Sequence, residues 1–451
     1  MYKGAGNKTN KSALLVNPWI HDFTAYDFWM KPLGLLCAAS LIRRTTPHRL
    51  SFIDCLDRFH PGLARPGAGK PDGRGPFPKE EIPKPEAVRG VPRRFSRYGL
   101  PVALFEEALA RGHRPDAVLV TSAMTYWYPG VQTAIDLVRR RFGAVPVLLG
   151  GIYATLCPGH ARAESGADLV LPGPAEEVLP AALAGILGGP AAASPGSASP
   201  DFLSPPAFDL LRDRTWLPVL TSRGCPRRCS YCASSRLSAG FRQRPVASVL
   251  AEIAASRASF GTRHFAFYDD ALLAGKRDHA WPLFEGLAAA GPGAAFHAPN
   301  GLQLREIDAP TARLMRAAGV RSLYLSLEST DPEVMDERGP KASPADLDRA
   351  LRALDAAGYH RKDVSVYLMA GLPGQSTAGI RESIGFVRRL GAVPRVAHFS
   401  PIPGTAEWDG LVRAGVLAAE ADPLLHNKTA FAYLKSGLAP EEIGALLRAP
   451  A

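Results

Sequence analysis

Long apolar runs are missing from this chain of 451 residues. None reaches the roughly 20 residues that a bilayer-spanning helix needs, so an integral membrane protein is not expected. The start, Met1 to Lys11, is polar and has no apolar h-region, which argues against secretion. Cysteine is scarce, with six in the whole chain, and a disulfide-stapled scaffold is excluded on that count. These absences point to the cytoplasm, whose reducing poise keeps thiols free. Acidic residues are short against basic ones, 42 against 53, for a formal charge of +11. The excess is spread over predicted helices, as in Arg139-Arg140-Arg141 and Arg388-Arg389. The densest basic stretch, Arg89 to Arg97, is broken by Pro and Gly and matches no nucleic-acid module, so nucleic acid is not expected as a partner. The rest of the composition, 46% hydrophobic and 21% charged, is that of a globular protein, and the length implies roughly two or three domains.

Three of the few cysteines stand together. Arg223-Gly224-Cys225-Pro226-Arg227-Arg228-Cys229-Ser230-Tyr231-Cys232 has the spacing C-x3-C-x2-C, with an aromatic residue before the last cysteine. Three thiolates on one loop can hold three corners of a cubane iron–sulfur cluster, which leaves one iron without a protein ligand. A zinc site would want a fourth ligand, and the nearest histidine downstream, His264, lies on a later predicted strand. An electron-transfer ferredoxin would usually bring a fourth cysteine. The remaining cysteines, Cys37, Cys55 and Cys157, are widely spaced. A second cluster held by them is a runner-up to buried structural thiols.

Upstream, short apolar strands alternate with amphipathic helices. Strands are predicted at 12–18, 50–54, 116–121, 145–149 and 167–171, and helices at 33–43, 102–111, 131–141 and 175–187. This alternation implies a doubly wound, Rossmann-like or flavodoxin-like parallel sheet over 12–187, with ligands at the carboxyl ends of its strands. Loops at those ends include Ser122 to Tyr128 and Gly150 to Thr155. Gly150 and Gly151 would let backbone approach a flat ligand. Residues 61–97 are rich in Pro, Gly and charge and predict an irregular insertion. Residues 188–206 read as a linker. Beyond it, strands at 216–221, 264–268, 294–298, 322–327, 364–369 and 395–400 give six βα units over 207–410, a partial (β/α)6 TIM barrel with its site at the carboxyl ends. A short tail, 411–451, follows; its polar run Leu425 to Thr429 reads as a surface turn.

The cysteine run followed by this strand order resembles the radical S-adenosylmethionine (SAM) superfamily, and 12–190 resembles the cobalamin (B12)-binding domain that precedes many such cores. The resemblance implies a [4Fe-4S] cluster on Cys225, Cys229 and Cys232, with SAM chelated to the open iron and Tyr231 beside it. It places Asp269 or Asp270 on the SAM ammonium, Asn300 in a turn after the third strand, and Glu328 on the ribose or methionine end. Gly371, Pro373 and Gly374 would give the adenosine access to backbone. Ser122, Gly150 and Gly151 would face the corrinoid. The D-x-H-x-x-G motif of cobalt-ligating domains is absent: the corresponding stretch reads Trp19-Ile20-His21-Asp22, so His21 is not expected as a cobalt ligand. The implied chemistry is reductive cleavage of SAM to a 5′-deoxyadenosyl radical, then cobalamin-dependent methyl transfer to an unactivated carbon of a small molecule. A flavodoxin-like or ferredoxin-like donor would supply the electron. Alternatives are a radical SAM enzyme without corrinoid (cyclisation, rearrangement or tRNA methylthiolation) and a non-catalytic cluster or zinc protein.

Overall fold

The computed structural model describes residues 11–187, 205–336, 338–339, 342–439, 441–442 and 445. Two parallel sheets organise them. The first contains β1 (Ser12–Asn17), β2 (Arg49–Asp54), β3 (Ala117–Val120), β4 (Val147–Leu149) and β5 (Leu169–Val170) in the order β2-β1-β3-β4-β5. All its pairings are parallel. That order is the flavodoxin-like one, whose switch point lies between β1 and β3. The apolar runs of β3 and β4 are wholly buried, as expected of strands covered on both faces. The helices α1 (Leu33–Thr45), α2 (Val102–Arg111), α3 (Tyr128–Phe142) and α4 (Ala175–Leu187) cover it.

The second sheet has six parallel strands in sequential order: β6 (Trp216–Val219), β7 (His264–Phe267), β8 (Ala295–Gln303), β9 (Val320–Glu328), β10 (Val364–Ala370) and β11 (Val393–His398). The period of two sorts its side chains cleanly. Leu217, Phe265, Leu323, Leu325, Val366 and Leu368 join one core with residues of the connecting helices α5 (Val246–Phe260), α6 (Ala280–Ala289), α7 (Ala309–Ala317), α8 (Pro344–Ala356) and α9 (Thr377–Arg389). Trp216, Ala266, Tyr324 and Tyr367 face the other way and pack with Trp29 and Phe28 of the first domain. Helices on one face only make this an open (β/α)6 barrel.

The structure corrects three local expectations. The segment 61–97 is not wholly irregular: Lys79–Glu81 and Ser96–Tyr98 are strands that pair antiparallel with each other, and Ser96–Tyr98 pairs with Ile20–Asp22. Their partner lies far away in sequence, where a local pattern gives no signal. β8 does not end before Pro299 but runs through Asn300 and Gly301 to Gln303, with a register shift between Ala298 and Leu302. The run 425–429 is no surface turn, for His426 and Asn427 are each 2% exposed. Residues 188–204 of the expected linker, and most of the chain beyond 439, lie outside the described residues. No helix among the described residues is long and apolar enough to cross a membrane.

Candidate active site

The cysteine loop leaves β6 through Thr221 and Ser222, and its base is tied tightly. The Asp269 carboxylate accepts from both backbone N–H groups and both hydroxyls of this pair, at 2.5–3.1 Å for Oδ1. A short antiparallel ladder between Ser222–Arg223 and Arg242–Gln243 closes the loop. Gly224 adopts φ 79°, and a Cβ there would lie 2.2 Å from the Gly240 carbonyl oxygen, so only glycine fits. At the tip, Ser230 is clamped. Its hydroxyl donates to Glu407 at 2.8 Å, its N–H to the Arg338 carbonyl at 3.3 Å, and its carbonyl accepts from the Glu407 N–H at 3.2 Å. Arg338 pairs with Glu407 at 2.8 Å and donates to the Pro373 carbonyl at 2.7 Å, which joins the cysteine loop to the glycine loop after β10.

Cys225, Cys229 and Cys232 line one depression of about 480 Å³. Among the described residues no group of three or more His, Cys, Asp or Glu side chains is placed to hold a single metal ion. Beside the cysteines, the Tyr231 hydroxyl is buried. Its phenol is pushed up by burial first, then by Glu328 and by Cys229 and Cys232. A depression lined by three thiols from one short loop fits a three-cysteine cluster.

The carboxyl ends of the barrel strands supply the remaining groups. The paired carboxylates after β7 diverge. Asp269 is consumed by the loop base, whereas Asp270 accepts from Ser234 at 2.6 Å and lines a second cavity. Burial raises the Asp270 carboxyl, and the Ser234 bond partly offsets this. Glu328 ends β9 buried, at φ 71°, a conformation that non-glycine residues rarely hold without cause. Asn300 donates to the carbonyls of Tyr268 and Asp269 at 3.1 and 3.2 Å, so it braces the loop after β7. Gly371 and Gly374 adopt φ 88° and 79°; the Gln375 amide oxygen caps the Gly371 and Leu372 N–H groups at 3.0 and 3.3 Å. Bare backbone at this edge leaves room for a flat nucleoside.

The second cavity, of about 400 Å³, lies between the domains. The ends of β3 and β4, Gly150 and Gly151, and helix α1 form one wall; Arg223, Gly224, Ser238, Tyr268 and Asp270 form the other. Ser238 also lines the cysteine depression, so the two spaces share a wall. Gly151, at φ 91°, would drive a Cβ to 2.4 Å from the Ser122 carbonyl oxygen. Ser122 itself lies behind the wall, donating to the Gly150 carbonyl at 3.1 Å and accepting from the Tyr153 N–H at 3.1 Å. A Cβ at Gly34 would meet nothing within 4 Å, so this wall is bare as well as apolar. An apolar slot floored by glycine at strand ends fits a large flat ring system. No histidine lines it, and His21 sits on the small antiparallel sheet. Of the other cysteines, Cys37 lines this cavity, Cys55 is fully buried, and burial raises the Cys157 thiol to about 12.

Known families share this architecture. The family model of the radical SAM superfamily matches residues 219–387, and that of the B12 binding domain matches 103–183. This chain carries a radical SAM domain behind a B12-binding domain. The first is a fold for a [4Fe-4S] cluster and SAM, the second for cobalamin. TsrM of Kitasatospora setae, a radical SAM methyltransferase of solved structure, has the same fold. With tryptophan and a SAM analogue bound it aligns at TM-score 0.66 and 19% identity, over 90% of this chain and 77% of that one. With cobalamin and a [4Fe-4S] cluster bound it aligns at TM-score 0.63 and 18% identity, over 93% and 85%. An uncharacterised methyltransferase of Pyrococcus horikoshii is 24% identical over 201 residues, 44% of this chain and 42% of its own length. This chain therefore matches less than half of that relative.

The sequence named the cysteines, Asp270, Gly150 and Gly151, which line the two adjoining spaces, and Glu328, Gly371 and Gly374, which stand at or just after strand ends. It missed Arg338, Glu407 and the Thr221–Ser222 pair, whose partners are remote in sequence.

Proposed function

We propose that the chain is a radical SAM, cobalamin-dependent methyltransferase acting on a carbon of a small molecule. One observation carries this: the three-cysteine depression and the glycine-floored cavity share the Ser238 wall. A methyl carrier and a radical source must lie within reach of one substrate, and adjoining sites satisfy that need. The methyltransferase of Pyrococcus horikoshii and TsrM add support.

Bound, the cluster would supply the electron that opens SAM, and the corrinoid would supply a methyl carrier. The residues do the rest. Cys225, Cys229 and Cys232 hold the cluster, Tyr231 packs beside it, and Asp270 and Glu328 present carboxyl oxygens to the cationic and hydroxyl groups of SAM. Asp269 and Asn300 keep those groups in place. Gly371, Pro373 and Gly374 leave backbone open to the adenine, and Gly150 and Gly151, backed by Ser122, admit the corrin face. The same reading divides the chain at 188–206, with 12–187 holding the corrinoid and 207–410 the cluster and SAM. It also places the protein in the cytoplasm with a flavodoxin-like or ferredoxin-like donor.

The test is oxygen-free reconstitution followed by assays of iron, sulfide, corrinoid and SAM cleavage. Wild-type protein is expected to bind all three cofactors and to cleave SAM. Cys229→Ala is expected to lose SAM cleavage while it retains cobalamin. A wild-type protein that cleaves SAM but takes up no cobalamin overturns the corrinoid part, and unchanged turnover in Cys229→Ala overturns the cluster part.

A further inference from the structure

The cysteine depression carries charge of one sign. Arg228 and Arg236 line it, and no Asp or Glu does. Both arginines are exposed, and neither takes part in an ion pair among the described residues. Glu407, next to the lining residue Ala406, is already engaged by Arg338 and Ser230. Arg227 and Arg242, the half-buried sequence neighbours of Arg228 and of the lining residue Phe241, add to the positive field. The interdomain cavity behind the Ser238 wall differs, for its lining mixes Arg223 with Glu176 and Asp270.

The two arginines are presented by fixed backbone. Arg228 stands in the cysteine run itself, next to Cys229, and Arg236 lies on the helical turn Ser234–Leu237 that follows the run. The Arg236 Nε donates to the Gly404 carbonyl at 2.6 Å, which steadies the stem and leaves the two terminal nitrogens for a carboxylate. Pro226 is exposed and Phe241 half-buried, so apolar contact is available between the charges. Cys232 is exposed among them, and a protein seated on this rim comes against one of the cluster's own ligands. All the lining residues fall within 225–241 and 404–406, in the barrel half of the chain, so such a protein need not displace the first domain.

We propose that this rim is the docking surface of the electron donor, and that the donor is an acidic one-electron carrier protein whose carboxylates meet Arg228 and Arg236. The inference rests on the radical SAM reading and adds the place and the charge of the partner. Opposite charge steers two proteins together and orients them, and it speeds encounter more than it prolongs the complex. A small interface suffices, since redox encounters bury little surface. One electron passes from the carrier to the cluster: the carrier is oxidised by one electron, the cluster is reduced by one, and no bond forms or breaks in that step.

Reconstituted protein would be titrated calorimetrically, without oxygen, with two oxidised carriers: a flavodoxin, whose surface is acidic, and a cytochrome c, whose surface is basic. Flavodoxin is expected to bind, and to bind less tightly as salt screens the pairs; cytochrome c is expected not to bind. Arg228→Gln combined with Arg236→Gln is expected to weaken flavodoxin about tenfold, a difference of about 1.4 kcal/mol. Arg236→Gln alone leaves the cysteine run intact and is expected to act in the same direction; it decides the matter if the double variant takes up less iron. No flavodoxin binding, equal binding of the two carriers, or wild-type flavodoxin binding in Arg236→Gln and the double variant overturns the proposal. SAM cleavage driven by dithionite, which needs no docking, is measured separately and is expected to be unchanged in Arg236→Gln. Wild-type protein that gives no cleavage with dithionite removes the radical SAM reading; cleavage with dithionite, but flavodoxin binding indifferent to the variants, removes the docking surface alone.

Discussion

Glu328 holds a backbone conformation that costs a non-glycine residue on the order of 1–3 kcal/mol. It is buried at the end of β9, where the pairing with β10 shifts register between Ser326 and Glu328. A conformation of that cost, held at the end of a strand where the register shifts, points to a functional role for the side chain. Asparagine tolerates positive φ better and keeps a polar head. Glu328→Asn is therefore expected to leave stability unchanged or raise it by about 1 kcal/mol in urea unfolding, while SAM cleavage falls severalfold or more. A variant that loses stability and keeps activity would show that the conformation serves packing. The neighbouring Gly301 has no such freedom, since a Cβ there would lie 1.7 Å from the Ser326 Oγ. The sequence marked Glu328 as the end of an apolar run, but nothing local announced its strain. That arises from the bulge between two strands.

At the scale of elements, two attachments hold the base and the tip of the cysteine loop. One is the Asp269 base; the other is the Arg338–Glu407 clamp on Ser230, whose side chains are 8% and 12% exposed. Breaking a buried pair leaves an unpaired charge and typically costs about 3–5 kcal/mol. Here the local loss would fall on loop order, since Glu407 lies in the first turn of α10 (Ala406–Arg413), outside the strands of the barrel. Glu407→Gln keeps the Ser230 acceptor and removes the charge. It is expected to lower iron and sulfide per chain after reconstitution and to speed cluster loss on dilution, with helical circular dichroism and cobalamin uptake unchanged. Unaltered iron retention would assign the clamp to packing alone. The three cysteines were legible because they act at fixed short spacing. The clamp was not, because Ser230 and Glu407 are 177 residues apart and each is an ordinary polar residue in its own segment. The barrel strands were legible as apolar runs for a related reason: burial on both faces writes itself into consecutive residues. The Ile20–Asp22 sheet is small, half polar and assembled from three distant pieces, and it left no comparable trace.

At the scale of the molecule, the first domain, the barrel and the tail meet around a buried polar junction. Asp22 accepts from Trp127 at 2.8 Å and from Asn427 at 2.9 Å, and His426 lies 3.1 Å from Thr125. Three histidines here are buried and neutral. Burial, then Arg97, lowers His21 to about 4; burial, then Lys428 and Arg93, lowers His398 to about 4; burial, then His160, lowers His426 to about 3. Unfolded, each would titrate near 6.5, the ordinary histidine value. Between the folded and unfolded values the unfolded chain binds more protons, so stability is full above about pH 6.5 and falls as pH drops toward 4. Each tenfold loss of proton affinity on folding is worth about 1.4 kcal/mol per group. The Asp22 carboxyl, raised by burial, has the opposite sign and offsets part of the fall. The urea midpoint should therefore decline steadily from pH 7 to pH 5. His398, whose ring nitrogens both lack partners, gives the sharpest test. His398→Leu removes a buried group that must not be protonated, so it should cost little at pH 7 and flatten the decline. An equal slope in that variant would place the acid sensitivity elsewhere. The prediction bears on function because the junction sets how the first domain seats against the barrel. Acid should open the interdomain cavity before either sheet melts, so bound cobalamin should be released at a higher pH than the one at which circular dichroism is lost.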